Sequence, residues 1–236
     1  MCGIFGYVGK DIACNEVFEG LKKLEYRGYD SCGISCITKN KLQTSKHLGA
    51  PSDLKFVKTY KSNIGIGHTR WATHGRVTLK NAHPHLSNNK KISVVHNGII
   101  ENYGELRDEY LAGYTFKSDT DSEILANLIQ HFYSMSPSLV EAVKSTLRLV
   151  SGTFGIAVLS LENPDVMIGA KRSSPLIVGF GKSQSYLTSD TQALPDEITK
   201  VIYLEDDQLV ELKGTDFNVH CLTKAAAQTQ HKTVKI

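Results

Sequence analysis

The chain has 236 residues, with 27 Lys and Arg against 24 Asp and Glu, a net charge of +3, and 41% hydrophobic residues. A chain of this size buries about 70% of its unfolded surface in a single core, and the balance is that of a globular protein, not a disordered or fibrous one. The charge is too small and too scattered for a nucleic-acid or membrane-surface partner; no run nears the roughly 18 apolar residues of a membrane span and no leader pattern opens the chain, so a cytoplasmic location is expected.

Taken in order, residues 4–8 read as a strand. Residues 13–27 place Val17, Leu21 and Leu24 at helical spacing, with Gly28 as the left-handed residue that ends the helix. Residues 33–38 and 41–47 predict a strand pair turning at Lys39-Asn40, and Pro51 opens a short helix over 51–60. Two buried strands, 64–71 and 92–96, flank a polar loop rich in histidine. Helices follow at 102–112, 121–134 and 138–150, the second capped by Ser118 or Asp119 and the third by Ser136 or Ser138. From Gly152 the pattern returns to strands, at 153–161, 165–170, 175–180, 184–188, 199–204, 208–213 and 217–222. Continuous apolar runs such as Ile156-Ala157-Val158-Leu159 imply strands buried on both faces. Strands, then helices, then strands argue for a layered α+β fold.

Several patterns mislead. Gly65-Ile66-Gly67-His68-Thr69-Arg70 lacks the third glycine of a dinucleotide fingerprint, and Gly181-Lys182-Ser183 lacks the first glycine of a phosphate loop and reads as a hairpin turn. His68, His74, His83, His85 and His96 raise a metal site, but no HExxH helix is present and hydrogen-bonding histidines are the plainer reading. The acids of Asp119-Thr120-Asp121-Ser122-Glu123 lack the rest of a calcium loop and suit a helix N-terminus. Five cysteines without a CxxC pair predict free thiols in a reducing compartment.

Cys2 has another possible use. Removal of Met1, favoured by a small second residue, leaves Cys2 with its own α-amino group, of pKa about 7.7–8.0, as a base for its thiol. Alone, Cys2 fits a buried structural cysteine on a first strand better than a nucleophile. Asn97-Gly98, at the end of an apolar strand, sets a side-chain amide beside an unhindered backbone N–H, an oxyanion hole or else a hairpin turn. Arg70 offers a planar fork to a carboxylate.

Met1-Cys2-Gly3-Ile4-Phe5-Gly6, Leu24-Glu25-Tyr26-Arg27-Gly28-Tyr29-Asp30-Ser31, Gly67-His68-Thr69-Arg70-Trp71-Ala72-Thr73-His74-Gly75 and Asn81-Ala82-His83-Pro84-His85 occur in that order. Val95-His96-Asn97-Gly98-Ile99-Ile100-Glu101-Asn102, Ser118-Asp119-Thr120-Asp121-Ser122-Glu123 and Thr188-Ser189-Asp190 follow. Over nearly its whole length the chain thus resembles the class-II glutamine amidotransferases, and within them the family that aminates fructose 6-phosphate.

The resemblance implies an N-terminal-nucleophile hydrolase fold, an αββα four-layer sandwich with two stacked, mainly antiparallel sheets. It makes Cys2 the nucleophile, its α-amino group the base, and Asn97 and Gly98 the oxyanion hole. Arg70 would hold the α-carboxylate of L-glutamine and Asp121 its α-ammonium, with Thr73 and His74 lining the pocket. Arg27 and Trp71 would belong to mobile covering elements, Trp71 gating ammonia, although either residue serves equally as a core anchor. Residues 1–236 would form one glutaminase domain without metal or cofactor. The isomerase region that binds fructose 6-phosphate would be absent, and the piece monomeric where the full enzyme is a homodimer. The competing readings are the glutaminase domain of another amidotransferase, a catalytically silent glutamine-binding module and, more distantly, a histidine-metal hydrolase.

Overall fold

Strand β1 (Gly3–Val8) is buried along its whole length, as an uninterrupted Ile-Phe-Gly-Tyr-Val run with both faces covered should be. A computed structural model describes residues 2–54, 60–72, 75–136, 138–223 and 233–235. After β1 come α1 (Ala13–Lys23), the hairpin β2 (Ser31–Thr38) and β3 (Lys41–Leu48), β4 (Ile64–Arg70), β5 (His85–Leu86) and β6 (Ile92–Ile100). Three helices follow, α2 (Tyr103–Tyr110), α3 (Glu123–Tyr133) and α4 (Leu139–Leu149). The chain then returns to strands in β7 (Gly152–Ser160), β8 (Asn163–Arg172), β9 (Ile177–Phe180) and β10 (Ser185–Thr188). Last are β11 (Lys200–Tyr203), β12 (Gln208–Lys213), β13 (Asp216–Cys221) and β14 (Thr233–Lys235).

The strands form two sheets, one ordered β14-β11-β9-β10-β1-β4-β2-β3 and the other β13-β12-β8-β7-β6-β5. All neighbouring strands in both sheets pair antiparallel. Alternate side chains of buried strands serve two cores. Ile4, Ile66, Val95, Leu159, Met167 and Leu187 fill the space between the sheets. Phe5, Tyr7 and Tyr186, on the opposite face of the first sheet, pack against Val17 and Leu21 of α1. On the far side of the second sheet, Val94, Ile156 and Ile168 meet Leu125, Ile129, Val143 and Leu147 of the helices. The layers are helix, sheet, sheet, helices, as the resemblance implied.

Three local expectations need correction. α1 stops at Lys23, and a single 3-10 turn, Glu25–Arg27, follows. Gly28 is extended there, with φ −178°, not left-handed. What requires a glycine is a close approach: a Cβ would lie 2.6 Å from the Arg70 carbonyl carbon and 2.8 Å from the Trp71 nitrogen. The helix expected over 51–60 is only a 3-10 turn at Pro51–Asp53, since Leu54 is already extended (ψ 111°); residues 55–59 lie outside the described residues. Neither Ser118 nor Asp119 caps α3, whose N-cap is Ser122. Glu123 turns its carboxylate back instead, accepting the backbone N–H of Lys117 (3.0 Å) and Ser118 (2.6 Å) and the Ser118 hydroxyl (2.7 Å). The short β5 and β14 have no signature in the sequence.

Antiparallel pairing sets the site. The register Gly3↔Thr69 brings the start of β1 beside the end of β4, and so Cys2 beside Arg70 and Trp71. β6 faces both strands from the other sheet and ends with Asn97–Ile100 at the same edge.

Candidate active site

Cys2 is half-buried and held from several sides. Its sulfur accepts the Trp71 N–H at 3.3 Å and lies 3.6 Å from the Trp71 carbonyl. Its carbonyl accepts Asn97 Nδ2 and Arg27 Nε, each at 3.1 Å. The next turn of backbone is fixed by Ser189, whose Oγ accepts the Ile4 N–H and whose N–H donates to the Ile4 carbonyl. Burial pushes the Cys2 thiol above its ordinary pKa, and the Trp71 N–H and the Arg70 and Arg27 charges only partly offset it. The sulfur is therefore a thiol at neutral pH and needs a base to react. Among the described residues, no imidazole or carboxylate is hydrogen-bonded to it.

Asn97-Gly98 is not a hairpin turn. Both residues lie inside β6 and pair with Gly155 and Phe154 of β7. Gly98 has φ +133°, and a Cβ there would sit 2.1 Å from the Thr153 carbonyl oxygen, so only glycine fits. One Asn97 amide hydrogen is directed to the Cys2 carbonyl, and the second remains for a ligand. The orientation of that amide is set by His68. Because Nδ2 donates, Oδ1 must accept, and His68 Nε2 lies 3.0 Å from Oδ1 and 3.1 Å from the His96 carbonyl. Two acceptors require a proton on Nε2. Nδ1 is then bare, and it is buried without a partner. Complete burial brings the His68 pKa down to about 3, which keeps the ring neutral.

The cleft beside Cys2 has a volume of about 40 Å³ and is lined by Arg70, Trp71, Gly98, Asp121 and Ser122, among others. Arg70 is only 4% exposed, and its guanidinium donates to the carbonyls of Arg76 (3.2 Å) and Gly75 (3.4 Å). Burial lowers its pKa, while Cys2, Asp30 and Asp121 act against that. Asp121 Oδ2 accepts the Ile100 N–H at 2.7 Å. The single Ser122 hydroxyl proton goes to His96 Nδ1 at 2.8 Å rather than to Asp121 Oδ1 at 3.4 Å, leaving Oδ1 to a ligand. Trp71 stands at the mouth, 42% exposed, edge-on to Tyr29 at 5.3 Å. The cleft thus gathers a cation, an anion, a thiol and amide donors. Thr73 and His74 lie outside the described residues.

Arg27 is not among the residues lining this cleft. It is 7% exposed and bridges the Cys2 carbonyl to Asp190, with Nη1 2.9 Å from Oδ2, so in this structure it supports the Cys2 backbone. Sequence reasoning left Asp190 without a role, together with Tyr26, which donates to Asp190 at 2.6 Å, and Asp30, which accepts the Ala72 N–H at 2.7 Å. The segments holding them were recognisable, but nothing local says that a carboxylate 163 positions away completes Arg27. His68 was likewise read only as one of a histidine group.

The histidines form a buried wall. His68 stacks on His83 at 4.1 Å, and His83 meets His85 edge-on at 4.5 Å. His83 Nδ1 accepts the His96 N–H, and His96 Nε2 donates to the Thr153 carbonyl. The lone pairs a metal would need on His83 Nδ1 and His96 Nδ1 are occupied by hydrogen bonds. Among the described residues, no group of three or more His, Cys, Asp or Glu is placed to hold a metal.

A four-layer sandwich with a cysteine leading its central strand, facing amide donors across the sheets, is the N-terminal-nucleophile architecture. The model of the glutamine amidotransferase domain family matches residues 37–235, and the chain belongs to that family. It is 45% identical over 224 residues to the glutamine–fructose-6-phosphate aminotransferase (isomerizing) of Aquifex aeolicus, covering 93% of this chain and 38% of that protein. With the enzyme of the same name from Bacteroides thetaiotaomicron it shares 42% identity over 243 residues, covering 100% of this chain and 40% of that protein. The chain therefore spans about two-fifths of the length of these curated relatives. The solved glutamine phosphoribosylpyrophosphate amidotransferase of B. subtilis, complexed with ADP and GMP, superposes with a TM-score of 0.82 at 25% identity, over 94% of this chain and 50% of that one. A glutamine aminotransferase class-II domain protein from Silicibacter pomeroyi gives 0.59 at 14% identity, over 94% of this chain and all of that one, a likeness of fold alone.

Proposed function

We propose that residues 1–236 are the glutaminase domain of an ammonia-transferring enzyme, hydrolysing L-glutamine through a γ-glutamyl thioester on Cys2. One observation carries this reading: the Cys2 sulfur is a half-buried thiol beside an arginine, an aspartate and an amide donor, with no side-chain base among the described residues bonded to it. A thiol in that position requires the α-amino group that departure of Met1 exposes. Arg70 takes the α-carboxylate of glutamine and Asp121 Oδ1 the α-ammonium, which selects the free amino acid over a peptide-bound one. The amine accepts the thiol proton as sulfur attacks the carboxamide. The second Asn97 amide hydrogen and the Gly98 N–H receive the oxyanion, each such donor stabilising the transition state by about 2.7–4 kcal/mol. The protonated terminus returns its proton to the leaving ammonia, and water then frees glutamate from the thioester. These steps call on no metal or organic cofactor.

The ammonia is passed on to fructose 6-phosphate in a region beyond this chain. The much higher identity to the fructose-6-phosphate aminotransferases than to the phosphoribosyl neighbour supports that acceptor. Intact mass before and after 6-diazo-5-oxonorleucine, a glutamine-shaped electrophile, tests the assignment. Loss of Met1 with one adduct, blocked by glutamine, is expected. Should Met1 remain, methionine aminopeptidase removes it before the reaction is repeated; a chain that begins at Cys2 and takes no adduct overturns the nucleophile.

A further inference from the structure

Two cysteines that the glutaminase chemistry does not use touch each other. Cys14, in the first turn of α1, and Cys36, on β2, lie with their sulfurs 2.7 Å apart. Both are essentially inaccessible, at 1% and 0% exposure. The space for this contact is made by β4: Gly65 pairs with Cys36, and a Cβ there would come within 2.8 Å of the Cys36 sulfur. Two thiols gain little from each other as hydrogen-bond partners, since sulfur is a weak donor and a weak acceptor. What distinguishes the pair is the bond it is placed to make.

We propose that Cys14 and Cys36 are a dithiol modification site that closes to a disulfide when oxidised by a small hydroperoxide, fastening α1 to the sheet that carries Cys2. The Cys14 thiolate attacks one peroxide oxygen, the O–O bond breaks, and an alcohol, or water from hydrogen peroxide, leaves with a proton. Cys36 then attacks the resulting sulfenic acid sulfur, the S–S bond forms, and the S–O bond breaks with release of water. Two thiols lose two electrons to one peroxide. The hydrogen bond from the Cys36 thiol lowers the Cys14 pKa and makes Cys14 the first attacker.

Entry to the pair runs through the N-terminal turn of α1. Its N-cap is Ile12, 41% exposed, and no side chain caps that turn, whose Ala13 N–H is held instead by the Ser62 carbonyl at 2.8 Å. Local opening concentrates at helix ends, and fraying of this turn admits a molecule as small as hydrogen peroxide. The cross-link ties a helix that leads directly into the turn bearing Arg27, and so holds the layer beneath the Cys2 carbonyl.

The test is oxidation of the full chain with hydrogen peroxide, followed by digestion and mass spectrometry without reduction. A peptide pair joined through Cys14 and Cys36 is expected. In a Cys2→Ser chain, which removes the competing thiol, alkylation in denaturant falls from four cysteines to two. The melting temperature rises by an amount on the order of 10 °C, as closing a loop of this span predicts for a chain of this size. Dithiothreitol reverses both changes, and Cys14→Ala abolishes them. Four alkylated cysteines after oxidation, or a link made through Cys32 instead, overturns the proposal. A link without a rise in melting temperature overturns the fastening of α1.

Discussion

On the proposed glutaminase reading, His68 acts on the reaction only through Asn97, and that makes its removal a sharp test. His68→Leu deletes a donor that serves two acceptors, Asn97 Oδ1 at 3.0 Å and the His96 carbonyl at 3.1 Å. Both acceptors stay buried, and leaving such a group unsatisfied costs about 1–3 kcal/mol. Together that is about 2–6 kcal/mol of stability, within reach of a typical total of about 5–15. The catalytic loss has a different ceiling. An Asn97 amide free to turn ceases to be a fixed donor, and losing one oxyanion-hole donor lowers kcat by about 100- to 1,000-fold. Arg70 and Asp121 are untouched, so KM changes little. His68→Gln, whose amide still donates, restores most of kcat. Glutamine hydrolysis by the purified variants, with thermal melts alongside, reads both quantities. A folded His68→Leu chain that keeps the parent kcat would refute the dependence of Asn97 on His68.

Cys2→Ser keeps the fold and abolishes turnover, since a hydroxyl is far less nucleophilic than a thiol; glutamate release above the uncatalysed rate removes Cys2 from the chemistry. Asp121→Asn still accepts the Ile100 N–H but loses a charge-assisted contact of about 1.5–3 kcal/mol, raising KM about 10- to 100-fold; an unchanged KM leaves Asp121 a strand-end brace. His68, His83, His85 and His96 all have pKa values lowered by burial. Their unfolded forms take up protons near pH 6.5 while the folded forms do not, so stability is complete above that pH and falls below it. Each buried histidine contributes up to about 1.4 kcal/mol per pH unit, so urea midpoints should drop between pH 7 and 5; a flat profile there contradicts the neutral wall.

Much of this protein is legible in one dimension. Hydrophobic period alone separates the strand–helix–strand order, because a strand buried on both faces must be apolar throughout while a packed helix need only be so on one stripe. The segments around Cys2, Arg70, Asn97 and Asp121 stand out through the resemblance of their motifs; read alone, Cys2 fits a structural cysteine and the acids around Asp121 a helix N-terminus. Three-dimensional packing decided the rest. Antiparallel register, not sequence distance, sets Cys2 against Trp71, and the packing of the turn after α1 against the turn after β10 sets Arg27 against Asp190. Asn97-Gly98 has the composition of a turn, yet pairing with β7 makes it part of a strand. Gly28 does not end α1; the Arg70–Trp71 backbone passing beside it leaves no room for a side chain. The tautomer of His68 follows from neighbours on another sheet, and Cys14 meets Cys36 only because α1 folds across β2. Local propensity and pattern are properties of neighbours in the chain, whereas hydrogen-bond partners and close contacts belong to neighbours in space, and only the packed layers determine those.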